Sequence, residues 1–558
     1  MSARAMVRAA ARRRRRTAAG VAAATLISAG AGASGASAIE VNSLADPGNG
    51  NCNDGTCTLR EAIALSDSTP ATVDTITFKS GLSGTINLNG AVGQLDVYWP
   101  VTIQGPGPDV VTISGDSDGN GSPDTRVFYL NADGITMSGL TIAKGAGKPN
   151  SSAGVSNGGA IYAFAATVAM NDVVLTGNKI QTASGGGIWS GDSDMTITNS
   201  KLVGNSAAAR GGGISAEEVL GGHSASLEVR DSLIAGNDAD YGGGVFTSEI
   251  DSLKVERSTV SGNVAGTYGG GGLNEFTDAM IDSSTVAGNN SVGGGGGWAF
   301  GQNPTVTRLV NSTVAGNVAG YGGGLLTTSP SSGLVAAYGS IVADNGDEEL
   351  FAVGDVPKFV VAGSLVEQPE AGAFVQPSGS TNVFGADPQL GPLEDNAGLT
   401  PTMMPALTSP AIDAGTANGL TTDQRGLART VEQPGANGAG SDGTDIGAVE
   451  RQDETPPHIR TGQKGKAKAG KPIKVTVGSD EAATVSADAT SKVGRKKVKF
   501  KSASGRVAAG GSVTLKLKLA KRPAKVLKKA GEAKAKVHVA AEDATGNTTD
   551  EMFKLKLK

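Results

Sequence analysis

Along the middle of the chain the apolar positions come in short β-prone runs rather than helical stripes, and runs such as Val173-Val174-Leu175, Leu202-Val203, Leu233-Ile234 and Val314 lead into glycine-asparagine pairs. The asparagines of those pairs are Asn178, Asn205, Asn237, Asn263, Asn289 and Asn317, spaced by 27, 32, 26, 26 and 28 residues. A period in this range marks a solenoid. Each repeat has room for about three short strands with their corners, and its Thr, Val, Ile and Ser content suits strands better than helices. The leucine-rich repeat has a similar period, but its Leu-x-x-Leu-x-Leu frame is absent. The pattern therefore predicts an all-β chain: a right-handed parallel β-helix with one coil per repeat over residues 72–366. Its asparagines should stack along one edge about 4.8 Å apart and hydrogen-bond along the axis, a structural ladder like those of cross-β assemblies. The residues six positions earlier, Asp172, Asn199, Asp231, Arg257, Ser283 and Asn311, vary in type, which predicts a less constrained, outward position.

Composition fits that shape. Glycine makes up 84 of 558 residues and aromatics only 4%, against a usual glycine share of about 7%. Tight corners between flat strands use glycine because it takes left-handed backbone angles without steric penalty. A disordered glycine-rich chain would lack the aligned apolar runs.

Residues 1–38 read as an export signal: Arg12–Arg16, an Ala-rich stretch from Thr17 to Ala33, then Ala36-Ser37-Ala38 as a cleavage pattern. No later window holds eighteen apolar residues, so no membrane span is predicted. Beyond the signal, charge splits the chain. Residues 39–454 carry 16 Lys+Arg against 45 Asp+Glu, a net of −29, and residues 455–558 carry 25 against 8, a net of +17. The division falls at Glu454-Thr-Pro-Pro457, where two prolines interrupt any strand. The basic tail alternates apolar residues with lysine in six runs, among them Ile473–Val477, Val513–Leu519 and Met552–Leu557, and predicts a small β-sandwich. Cys52 and Cys57 flank a glycine turn and, in an exported chain without nearby Cys or His, most simply form a disulfide. His223, His458 and His538 are scattered singly and read as isolated surface residues.

Several segments resemble known families. Glu40-Val-Asn-Ser-Leu-Ala-Asp46 and Cys57-Thr-Leu-Arg-Glu-Ala-Ile63 are similar to the CSLREA domain of bacterial surface β-helix proteins, with Thr58 in place of the usual serine. Ser409-Pro-Ala-Ile-Asp-Ala-Gly415, Thr422-Asp-Gln-Arg-Gly426 and Asp445-Ile-Gly-Ala-Val-Glu450 look like the choice-of-anchor Q domain of the same proteins. Gly158-Gly-Ala-Ile161, Gly186-Gly-Ile188 and Gly212-Gly-Ile214 resemble the repeats of polymorphic outer-membrane proteins, and the tail is similar to the immunoglobulin-like modules of bacterial surface proteins. The resemblance implies a secreted, extracellular or wall-associated protein on a pectate-lyase-like solenoid. Residues 39–71 would form an N-terminal cap and 367–454 a C-terminal cap region, followed by the immunoglobulin-like β-sandwich of 455–558. Both ends of a solenoid need covering. Leu59, Ala62, Ile63 and Leu65 share a helical face suited to plugging the first coil, with Arg60 and Glu61 pointing to solvent.

Two candidate sites follow. After the glycine blocks come Asp192, Glu218, Glu249 and Glu275, with Trp189 and Phe246 beside them. In register these would form a carboxylate stripe flanked by rings, which reads either as solvated acidic loops or as a glycan groove. Asp116, Asp118, Asn120 and Asp124 match the first half of a Ca²⁺ loop, with Gly121 at the turn, but Val127 stands where the bidentate Glu would be. A plain turn is the alternative. Function remains open between two classes: a monomeric, non-enzymatic adhesin or binding scaffold for a polysaccharide or cell-wall polymer, and a polysaccharide lyase or glycoside hydrolase, since fold does not imply activity. Nucleic acid is not expected as a partner, because the basic strands lack interleaved aromatics.

Overall fold

A computed structural model describes residues 38–558 apart from 70–71, 148–155, 222–223, 302–306, 329–332, 347, 355–357, 371, 432, 434–437, 454, 463–465 and 544–545. The export signal expected before Ala38, His223 and Glu454 thus lie outside the described residues. The chain divides into two units, residues up to 430 with 437–450, and residues 431–436 with 451–558.

The first unit is a parallel β-solenoid of about ten turns. Each full coil gives two strands to a long 23-stranded sheet, one to a ten-stranded sheet, and in six coils a short strand to a third sheet. In the long sheet the middle coils keep register: Leu202, Ile234, Val260, Val286, Val314 and Val342 lie directly over one another. All six are buried in one continuous apolar core.

The corner between the two strands of the long sheet is where the backbone is most constrained. Asp172, Asn199, Asp231, Arg257, Ser283 and Asn311 all hold positive φ, between 43° and 55°. The variation in side chain at this position, taken from sequence as a sign of freedom, instead accompanies an invariant left-handed bend that any residue here must tolerate. The next residue is serine in coil after coil. Ser232, Ser258, Ser284, Ser312 and Ser340 each accept, on Oγ, the backbone N–H of the serine one coil earlier at 3.0–3.1 Å. Five residues further on stands the asparagine ladder. From Asn178 to Asn317 every Nδ2 donates to the next coil's asparagine Oδ1 at 2.8–3.0 Å. Each also donates to a backbone carbonyl, so the fully buried amides are saturated. The row continues one coil past the Gly-Asn repeats to Asn345, where Glu349 accepts from both its N–H and its Nδ2.

Glycine blocks follow because there is no room for anything else. A Cβ on Gly213 would lie 2.6 Å from the carbonyl oxygen of Gly244 in the next coil.

The ends differ from the expectation in detail. Ala38–Val41 already pairs in parallel with Asp74–Phe78, so the first coil begins at the first described residue. Helix Leu59–Asp67 plugs the core with Leu59, Ala62 and Ile63, but Leu65 is exposed. Arg60 and Glu61 are anchors rather than solvated residues. Glu61 completes a capping box with Thr58 and also accepts from Gly50 and Asn51 N–H. Arg60 forks onto Asp46 at 2.7 and 2.8 Å and reaches the carbonyls of Gly93 and Gln94. Cys52 and Cys57 are disulfide-bonded, as expected. At the other end the stacked strands run on to Phe384, past residue 366. The segment expected to cap that end folds back along the solenoid's flank, where Gln424 bonds Thr259 and Thr285, Asn418 bonds Asn311, and Ala448 N–H reaches Thr313.

The second unit holds a three-stranded antiparallel sheet, a six-stranded sheet that is antiparallel except where edge strand Lys466–Ala467 pairs in parallel with Thr548–Leu557, and helix Lys521–Ala530, around its own core of Val475, Val485, Leu515, Val537 and Leu555. Among the described residues no helix is long and apolar enough to cross a membrane.

Replacing an interior rung tests the ladder. Asn263→Ala strands the backbone N–H of Asn237, removes one of the two bonds made by Asn237 Nδ2 and one of the two accepted by Asn289 Oδ1, and takes the side-chain donor from the Ile234 carbonyl. It should cost about 3 kcal/mol in a denaturant titration, whereas Arg257→Ala at the adjacent corner should cost well under half of that.

Candidate functional site

The outer face of the ten-stranded sheet carries the chemistry. One register row along it reads Asp96, Tyr129, Tyr162, Trp189, Ser215, Phe246, Leu273, Ala299, Leu326 and Phe351. A neighbouring row reads Phe164, Gly191, Glu217, Ser248 and Glu275. Rings stack along the first row: Tyr129 on Tyr162 at 5.4 Å between centroids, and Tyr162 on Trp189 at 4.5 Å. Trp189 lies flat over Gly191, a position a Cβ would occupy.

Of the sequence candidates, Asp192, Glu218 and Glu249 do fall at equivalent places on successive coils, one residue beyond the strands. Glu275 does not join them; it sits in register with Ser248 and Glu217. Asp192 is buried and accepts the N–H groups of Val219 and Leu220, a loop-fastening role. Trp189 and Phe246 are 4% and 1% exposed, so neither offers a face to a ligand. Phe246 lies under the Arg210 guanidinium, 5.0 Å from its centroid, in a cluster bordered by Tyr241, Tyr268 and Tyr321.

Sequence reading missed Glu217, which this register makes the chemical centre of the middle coils. It accepts from Ser215 Oγ at 2.7 Å and Trp189 Nε1 at 3.3 Å and lies 3.6 Å from Arg210. Glu275 stands two coils away, about 10 Å at the stacking distance. Burial raises its carboxyl above the usual range against the pull of Arg210, and Glu217 adds to the rise.

The row opens at its N-terminal end. Tyr98 is 49% and Trp99 43% exposed, and Tyr98 leans on half-buried Tyr129 at 5.8 Å. Next to them Asp67, at the end of the plug helix, takes the Tyr98 N–H on Oδ2. Its Oδ1 is buried and has no hydrogen-bond partner. Burial, with Asp96 adding, pushes the Asp67 carboxyl up to about 6. The sequence signal was the adjacent Tyr98-Trp99 in a chain with so few rings.

The residues of the expected Ca²⁺ loop also come together. Asp116, Asp118 and Asp124 each present an oxygen within 4.8 Å of the others. Asn120 turns Nδ2 onto Asp118 Oδ2 at 2.8 Å and its oxygen onto Ser122 N–H at 2.7 Å.

In the second unit, lysines oppose lysines directly across strands: Lys474 and Lys516, Lys492 and Lys497, Lys534 and Lys556, Lys536 and Lys554. Like charges so placed repel. His538 is no isolated surface histidine, since it bridges Asp488 at 3.2 Å and Asp550 at 2.7 Å. Asp453, Glu481 and Asp543 form a carboxylate cluster that sequence reading did not single out.

These geometries define a parallel β-solenoid with a ring-and-carboxylate face and a separate lysine-rich sandwich. No family model, curated protein or solved structure matches the chain.

The carboxylate cluster sets a pH test. Burial, then Asp453, pushes Glu481 from 4.5 to about 7. A raised acid favours the folded state while it is protonated, so this contribution is full below pH 4.5 and lost as pH rises towards 7. The melting temperature of the second unit should therefore fall across that window, and Glu481→Gln should flatten the slope, as followed by calorimetry.

Proposed function

We propose that this is an exported, wall-associated binding scaffold for a hydroxyl-rich polymer, a polysaccharide or cell-wall polymer, and that it is not an enzyme. The observation that carries the reading is the open end of the aromatic row. Tyr98 and Trp99 offer exposed ring faces in a chain with 4% aromatics, and exposed rings gathered at one place mark interaction sites. Half-buried Asp96, next to them at the start of the same row, supplies an acceptor for hydroxyl groups. The body's net charge of −29 over residues 39–454 disfavours an acidic glycan on this face, so a neutral one is the better fit.

The second unit has the opposite preference. Four opposed lysine pairs and a net of +17 over residues 455–558 carry a repulsion that a polyanion would relieve. We assign it the anchoring role, on anionic wall polymers rather than nucleic acid.

Cleavage is the second reading, favoured by one observation. Glu217 and Glu275 occupy one register position two coils apart, one beside Arg210 and the other with a raised carboxyl. A separation of roughly 10 Å is near the upper limit for an inverting carboxylate pair. Both groups are engaged near buried rings, which leaves no open ring face on which to seat a sugar there, and binding is preferred.

Trp99→Ala and Tyr98→Ala should each weaken retention on neutral wall polysaccharides at least tenfold in affinity electrophoresis, while Trp189→Phe leaves it unchanged. Release of reducing ends that Glu217→Gln and Glu275→Gln abolish would replace the binding assignment with the hydrolytic one.

Deleting residues 457–558 should release the protein from anionic cell walls, and binding of the intact protein should fall steeply between about 50 and 500 mM salt, since exposed charges are screened within about 8 Å at physiological ionic strength. Wall binding indifferent to salt would reject the electrostatic anchor.

A further inference from the structure

The loop between strands Val111–Ser114 and Phe128–Leu130 is held shut at its base. Gly115 O accepts the N–H groups of both Asp124 and Thr125, at 3.1 and 3.0 Å. Gly115 itself is fixed by crowding, because a Cβ there would meet the Thr125 carbonyl oxygen at 2.2 Å. The closure brings three carboxylates into a space where each offers an oxygen within 4.8 Å of the other two. Asp118 is exposed and Asp124 half-buried, but Asp116 is not: its side chain is 4% accessible.

Asp116 is the informative member. Its Oδ2 accepts from Lys144 Nζ at 3.0 Å and from Gly121 N–H at 2.9 Å. Its Oδ1 is buried and has no partner. An open carboxylate oxygen buried in the space the three acids share goes against the rule that buried polar groups are hydrogen-bonded, and a bound cation would satisfy it. Among the described residues the cation paired with Asp116 is a poor match for the cluster: Lys144 is a single positive charge against three negative ones, and its side chain is 45% exposed on a flexible stem.

We propose that residues 116–124 form a calcium site in which Asp116, Asp118 and Asp124 are the carboxylate ligands, and that the Lys144 ammonium occupies its edge as a competitor. The spacing suits the ion. Ca²⁺ holds oxygens at about 2.3–2.6 Å in adaptable geometry, so two of its ligands can stand up to about 5 Å apart. Mg²⁺ demands a tighter octahedron near 2.1 Å and keeps its own waters. The remaining coordination falls to backbone carbonyls or water, as is usual for Ca²⁺. Binding requires that Lys144 swing out towards solvent, which its exposure allows, and that Asp118 and Asp124 share oxygens that now accept from Asn120 Nδ2 and from Ser117.

The test uses the whole exported chain, stripped with chelator, and titrates CaCl₂ or MgCl₂ alone by calorimetry at low salt. The expected result is a single calcium-binding event that Asp118→Asn with Asp124→Asn weakens at least a hundredfold. Lys144→Gln should tighten binding about tenfold by removing the competitor. Asp118 is exposed and Asp124 half-buried, so the double variant should fold, and its circular dichroism is the control. No calcium heat with the wild type at millimolar concentration, or unchanged binding in the folded double variant, overturns the site. Equal affinity for Mg²⁺ overturns its assignment to calcium, and a Lys144→Gln affinity equal to or below wild type overturns the competitor role.

Discussion

Everything in the solenoid depends on one requirement: each coil must present to the next a backbone outline of the same shape. Parallel ladders fix the rise between coils, so a bend made in one coil has to be made at the same place in all of them. The left-handed corners from Asp172 to Asn311 meet that demand in geometry. Serine and asparagine meet it in hydrogen bonding, since a corner turned inside a protein strands backbone N–H and C=O groups that must find partners. The serine Oγ and asparagine amide are those partners, repeated at the coil spacing.

The same requirement explains what was legible in the sequence. A position where only one side chain satisfies the buried corner repeats visibly, and the asparagines announced the fold. The serine row was equally readable, five residues before each asparagine from Ser200 to Ser340, and was overlooked for the variable position just before it. That variability misled because the constraint there acts on φ, which leaves no residue signature when side chains of many kinds tolerate it, from exposed Asn199 to Ser283 and Asn311, which are buried and not outward as expected. Asn345 and Glu349 were missed because the terminal rung lacks the preceding glycine.

The candidate site was less legible, and for a related reason. Counting residues from a glycine block locates a coil but not which side of a strand a residue faces, because side chains alternate with a period of two. An offset of one residue separates Glu217, on the face beside Trp189, from Glu218, beyond the strand. Burial was also unreadable: nothing in the local sequence distinguishes exposed Trp99 from covered Trp189, whose environment is made by residues a coil or more away. Arg60 and Glu61 show the converse, charged residues on a short helix committed to Asp46 and to backbone groups distant in sequence.

The asparagine ladder also has a direction. Every rung passes its amide hydrogen to the next coil, so the row starts with an acceptor, Asn178 Oδ1 taking Gly145 N–H, and ends with a donor that only an acceptor can close. Glu349 is that closure, and it recognises a ladder end without regard to how many rungs precede it. As far as the ladder is concerned, the coils ahead of those gripped by the folded-back segment at Thr259, Thr285, Asn311 and Thr313 are therefore interchangeable units between two fixed terminators. Duplication or loss of a whole repeat leaves both ends chemically intact, which makes the length of the molecule, and with it the reach of its outer face, something that can change by unequal recombination without a new fold having to be found.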